Sequence, residues 1–154
     1  MMDMWLFQKQ NCELNLTQSF PCCFKNALKR GEVSFTEEPQ IIYETFEAYR
    51  GIFREKGCNF SNINFNDFLS YAEKGKTYNP RFGSKDSFYS CSLYKNIEEC
   101  KKALVFPNPK EDRQISLGPV IQSDGCIRER LKDSHVDFWI YENHSEFWKQ
   151  YKIV

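Results

Sequence analysis

Apolar and polar residues change their period about two thirds of the way along the chain. Early segments recur at helical spacing, and late ones alternate or run apolar. "SFPCCFKNALKRGE" predicts a short helix in which Ser19 can cap, Pro21 suits the first turn and Gly31 stops the run. "NINFNDFLSYAEKGK" predicts a second, capped by Asn64, with Phe65, Phe68, Leu69 and Ala72 on one face and Gly75 at its end. "NIEECKKALVFP" predicts a third: Asn96 and Glu99 have capping-box spacing, Cys100 and Leu104 face inward, and Pro107 prevents continuation. Between these, "SFYSCSLY" reads as a strand whose Phe88, Ser90 and Ser92 share one face.

"FTEEPQIIYETFEAYRGIFREKG" fits two periods. Ile42, Phe46, Tyr49 and Phe53 recur at helical spacing, with Gly51 inside the helix at a cost of about 1 kcal/mol. Broken near Glu44, the same letters make "FEAYRGI" a strand with Phe46, Ala48, Arg50 and Ile52 on one face. Pattern alone leans to the helix; the order of later motifs leads us to the strand.

In the last third, "RQISLGPVIQ", "CIRERL" and "HVDFWIYE" are joined by "SDG" and "KDS", which is turn chemistry, so an antiparallel meander is expected. Val136, Phe138 and Ile140 should face the core. "SEFWKQYKIV" then gives a helical turn or an edge strand. The class is α+β: N-terminal helices followed by a mainly antiparallel sheet with a C-terminal meander. No repeat or low-complexity block divides the 154 residues. One domain is expected, with a helical segment over about 1–35 and an α+β core over about 36–154.

Composition narrows function more than fold. Basic and acidic residues balance at 21 each, which argues against a dedicated nucleic-acid binder. Seven cysteines, an odd number without C-x-x-C, argue against a disulfide framework or zinc ribbon and fit a reducing cytosol. "MMDMWLFQKQNCELN" lacks the basic opening of a secretory signal, and no run is long enough for a membrane span, so a cytoplasmic protein is expected. The glycosylation-type triplets at Asn15, Asn59 and Asn143 then carry no weight.

Candidate chemistry is sparse. Cys126, His135 and His144 match no zinc spacing, so no metal is expected. Cys91 with His135 could form a nucleophile–base pair, but Cys91 alternates away from the flanking serines toward the core. Glycine-rich phosphate loops are absent. His135, Asp137, Trp139 and Tyr141 alternate onto one face, which should look outward or into a cleft and would suit a non-enzymatic protein-binding module such as an immunity, antitoxin or adaptor protein. Its bland counterpart has Trp139 lying under the C-terminal segment, covered by Phe147 or Trp148.

The order "AYRGI", then "SFYSCSLY", then a capped helix and an acid-bearing sheet resembles the R-S-E class of ADP-ribosyltransferases. The resemblance implies NAD as substrate, with Arg50 as phosphate or ribose anchor, Ser90 and Ser92 shaping the nicotinamide pocket, and Tyr49 and Tyr89 stacking on the ring. A toxin or modifying effector is the family-level expectation. Cys91 stands where that family has threonine, and no E-x-E or Q-x-E occurs in the last third. Glu129 is the nearest strand acid, with Asp137 and Glu142 as the alternatives. The residue types suit this chemistry, since arginine offers a forked, permanent charge to phosphate and a carboxylate can stabilise an oxocarbenium-like state.

Overall fold

The computed structural model describes residues 19–42, 44–60, 62–104, 110–130, 132–142 and 146–154. His144, Pro107, Asn15 and Asn143, each given a place in the reading above, lie outside them. The elements in chain order are α1 (Cys22–Lys29), β1 (Gln40–Ile41), β2 (Phe46–Glu55), β3 (Cys91–Tyr94), α2 (Ile97–Ala103), β4 (Glu111–Val120), β5 (Gly125–Glu129), β6 (His135–Ile140) and β7 (Lys152–Ile153). The seven strands form one antiparallel sheet in the order β1-β5-β6-β3-β2-β4-β7. The protein is α+β.

"FEAYRGIFRE" is a ten-residue strand, not a helix. It pairs along its whole length with β4, from Phe46 opposite Val120 to Glu55 opposite Glu111. Gly51, expensive in a helix, is suited here: a Cβ at this position would stand 2.6 Å from Leu104 Cδ2, so its absence lets the end of α2 lie on the strand. The meander expected of the last third becomes the β5–β6 hairpin, while β4 crosses to the other side of the sheet to join β2 and β7.

Two faces of the sheet are buried by different means. On one, Ala48, Leu93, Val120, Val136 and Phe138 pack beneath Phe68, Phe147 and Tyr151. On the other, Cys126 and Trp139 pack beneath Phe24 and Ala27 of α1 and Phe20 just before it. Every residue of β6 is consequently buried. Each fully buried large apolar side chain contributes about 1.5–3 kcal/mol, so covering both faces is what secures so short a strand.

The segment 64–75 departs from the expected helix. Only Phe65–Phe68 is helical, as a 3₁₀ turn capped reciprocally by Asn64 and Asp67. The Asp67 carbonyl, which would accept from the next turn of an α-helix, instead accepts from Arg50 Nε at 3.0 Å. Leu69 is extended, and residues 71–75 form turns ending at Gly75 with φ 72°. The strand expected over "SFYSCSLY" is also shorter, because Asp86 caps a 3₁₀ turn at Ser87–Tyr89 and β3 begins at Cys91.

Candidate functional site

Strands β2 and β3 pair at one position, Tyr49 opposite Tyr94. Beyond it β2 runs on against β4, and a cavity of about 480 Å³ is lined by both strands. Arg50, Gly51 and Phe53 come from β2, and Ser90, Ser92 and Tyr94 from β3 and the residue before it. The 70–76 turns add Tyr71, Lys74 and Lys76; Leu104 closes one wall and Glu111 stands at the start of β4.

Arg50 occupies the gap left by the interrupted ladder. Its Nη1 donates to the Ser92 carbonyl at 3.0 Å, while its Nε holds the Asp67 carbonyl. A strand carbonyl at Ser92 and a turn carbonyl at Asp67 are thereby satisfied, which gives the arginine a structural duty whatever else it binds. Two further bonds register its strand: Ser116 Oγ donates to the Arg50 carbonyl at 3.1 Å, and Arg54 is paired with Asp67. Arg50 of β2 and Ser92 of β3 thus border the same opening.

The cavity is basic. Among the described residues Arg50, Lys74 and Lys76 form no ion pair with a carboxylate, and Lys74 lies 5.9 Å from the Tyr71 ring centroid. Burial pushes the Lys74 pKa down, and the neighbouring Arg50 charge pushes it further the same way. An anion entering the cavity would relieve that repulsion. Phe53 and Tyr71 are 38% and 46% exposed, unusual for rings of that size, and both border the cavity. The Cys100 thiol in the wall is pushed up to about 11 by burial and is not a nucleophile at neutral pH.

Of the residues singled out in the sequence, Arg50, Ser90 and Ser92 share the cavity. Three others are placed elsewhere. Tyr89 stacks on Phe24 of α1 with ring centroids 5.0 Å apart, so it is part of the aromatic layer and no wall for a ligand. Tyr49 is half-buried beside Leu117 and Tyr94 on the neighbouring strands and does not line the cavity. Glu129 is exposed on β5, ion-paired with Lys95, and does not line the cavity. Among the other two acids considered, Glu142 lies near Lys25 and Cys22, and Asp137 is buried. The carboxylate at the cavity is Glu111, which precedes the segment "RQISLGPVIQ" read as a strand from the sequence. Tyr71 and Lys74 fall off the apolar face of the helix expected over 64–75, and Lys76 falls beyond its end, so the sequence pattern did not bring them together.

His135, Asp137 and Trp139 do not look outward as expected, and Tyr141 is half-buried. Trp139 and Asp137 are each 1% exposed and His135 is 7% exposed. Trp139 lies under α1 and Asp137 under the loop 84–90, rather than beneath the C-terminal residues, while His135 packs against Tyr94. The polar groups there are neutralised by Arg128, which pairs with Asp86 and with Asp137 at 3.1 Å and lies 5.0 Å from the Trp139 ring centroid. Burial alone would raise the Asp86 carboxyl, but hydrogen bonds from Arg128, Ser84 and the Thr36 N–H, with the Arg128 charge, hold it far below the usual carboxylate range. Cys91 is in the opposite core, across from Phe138, and burial raises its thiol, so it is not a partner for His135. Cys126 is likewise raised, to about 12. Among the described residues no group of three or more histidine, cysteine, aspartate or glutamate side chains could hold a metal ion.

The fold and site therefore define an α+β protein with a basic, aromatic-rimmed cavity at a parted pair of strands. No family profile, curated protein or solved structure matches the chain. Among the described residues no helix is long and apolar enough to cross a membrane.

Proposed function

We propose that this protein binds an anionic, ring-bearing ligand of the nucleotide class, with NAD or ADP-ribose as the leading candidates, in the cavity between β2 and β3. The observation that carries the proposal is the convergence of Arg50, Lys74 and Lys76 with the exposed rings of Tyr71 and Phe53. Cations without carboxylate partners suit phosphates, and exposed rings suit the flat face of a base. Ser92 adds a hydroxyl for a ribose or amide group. An ADP-ribosyltransferase-like activity needs in addition a carboxylate beside the glycosidic bond. Glu111 takes that place in our proposal, and Glu129 does not.

The test is a thermal-shift series with NAD, ADP-ribose, ATP and adenosine, alongside an assay for NAD consumption. We expect the phosphorylated compounds to raise the melting temperature and adenosine to do so less. Exchanging Lys74 and Lys76 together for alanine should weaken binding at least about 10-fold, since hydrogen bonds to charged groups contribute about 1.5–3 kcal/mol each. No shift with any phosphorylated compound would contradict nucleotide binding. Binding without NAD turnover would leave a binding protein and remove the transferase reading.

A further inference from the structure

Behind Ser92 of the same cavity stand a histidine and an aspartate that nucleotide binding does not use. Ser92 Oγ is 3.1 Å from His135 Nε2. His135 Nδ1 is 3.8 Å from Asp137 Oδ1, and this buried nitrogen has no hydrogen-bond partner among the described residues. Strand register produces the arrangement: Ser92 stands opposite Asp137 and Tyr94 opposite His135 on the β3–β6 ladder. His135 therefore reaches diagonally to Ser92 while its other nitrogen lies over the neighbouring carboxylate. Asp137 is itself fixed, accepting from Ser90 Oγ at 3.2 Å and from Arg128.

We propose that Ser92 is a nucleophile for acyl transfer, with His135 as its general base and Asp137 as the positioning residue that sets the imidazole tautomer. A serine hydroxyl is activated when an adjacent neutral imidazole can accept its proton and a third group orients that imidazole. A proton on Nδ1, facing the Asp137 carboxylate, leaves Nε2 as the acceptor toward Ser92. Burial lowers the His135 pKa and Asp137 opposes this; Asp133, Arg130 and Arg128 act on the ring as well. The 3.8 Å separation is longer than a hydrogen bond, as catalytic contacts often are before substrate binds.

The substrate class is an ester whose acyl or alcohol part carries a phosphate or carboxylate, held by Lys74 and Lys76. Ser92 Oγ bonds to the carbonyl carbon as its proton passes to His135 Nε2. In this proposal the developing negative charge is met by the Arg50 guanidinium, which donates to the Ser92 carbonyl at 3.0 Å. Collapse breaks the bond to the alcohol, which takes the proton from His135. Water then cleaves the acyl-serine, giving one proton to His135 and through it to Ser92 Oγ. No oxidant or metal is required by this balance.

The proposal stands independently of nucleotide binding, and its test needs no nucleotide. The full chain is incubated with an alkyl fluorophosphonate, which forms an Oγ–P bond with loss of fluoride, and the adduct is mapped by mass spectrometry. We expect one adduct, on Ser92, absent in Ser92→Ala and formed about 100-fold more slowly in His135→Gln. Asp137→Asn should slow labelling and move the midpoint of its pH profile downward, because the carboxylate that favours the imidazolium is gone. A lost fold alone would not move that midpoint. No adduct on the folded wild-type protein, an adduct on another residue, or a Ser92 adduct whose rate ignores His135 would overturn the proposal, and the wild-type result decides it even where a variant fails to fold. Labelling unaffected by saturating ADP-ribose would leave the serine proposal intact and count against nucleotide binding there.

Discussion

Arg50 shows how one side chain can be both strut and candidate ligand group. Its bonds to the Ser92 and Asp67 carbonyls close a break in the β2–β3 ladder and stop a helix at Phe68. Removing it would leave two half-buried acceptors unsatisfied, at a cost toward the lower end of about 1–3 kcal/mol each. We expect Arg50→Ala to lower unfolding stability by roughly 2 kcal/mol in urea titration without ligand present; unchanged stability would mean that the carbonyls find other donors. Lysine cannot span both carbonyls, so Arg50→Lys should recover only part of the loss. At Asp86 the expectation concerns pH. Its folded carboxyl is held below the unfolded value, so its contribution is fully present above roughly pH 4 and is lost as pH falls through the folded value. Stability measured from pH 6 to pH 2 should therefore fall below about pH 4, and the fall should be shallower in Asp86→Asn.

The elements differ in how legibly the sequence specifies them. The β5–β6 hairpin and the Asn96 cap of α2 follow local rules, and both form: Asn96 Oδ1 accepts from the Glu98 and Glu99 N–H groups. Gly125 at the start of β5 is required by close approach, since a Cβ there would stand 2.2 Å from the Trp139 carbonyl oxygen. Backbone cannot yield as a side chain does, so Gly125→Ala should cost about 2–3 kcal/mol in chemical denaturation. A neutral result would show that the hairpin shifts its register. Tertiary bonds decided the less legible cases. Asp67 gives its carbonyl to Arg50, so a good helical pattern over 64–75 ends after one turn. On β6 the alternation of polar and apolar residues was correct, but alternation cannot tell whether the polar face meets water or a buried arginine. Arg128 together with α1 made it interior. The candidate site was half legible: Arg50 and the serines were found by type and order, while Lys74, Lys76 and Glu111 depended on where a turn and a strand end would fall.

Across the whole molecule, charge sums to zero with 21 residues of each sign, yet it is not evenly used. Asp86, Asp137 and Arg128 compensate one another in the interior, whereas Arg50, Lys74 and Lys76 gather at one opening. A ligand held by those cations should bind less tightly as salt rises. From 50 to 300 mM NaCl the screening length shortens from above to below about 10 Å, so a several-fold weakening is expected. The central claim is that this basic cavity is a nucleotide site, and isothermal titration of ADP-ribose into the wild-type protein and into the Lys74→Ala/Lys76→Ala variant tests it most directly. The account predicts one site per chain whose affinity drops at least about 10-fold in the variant; no binding heat in the wild type, or equal affinity in both proteins, would contradict it.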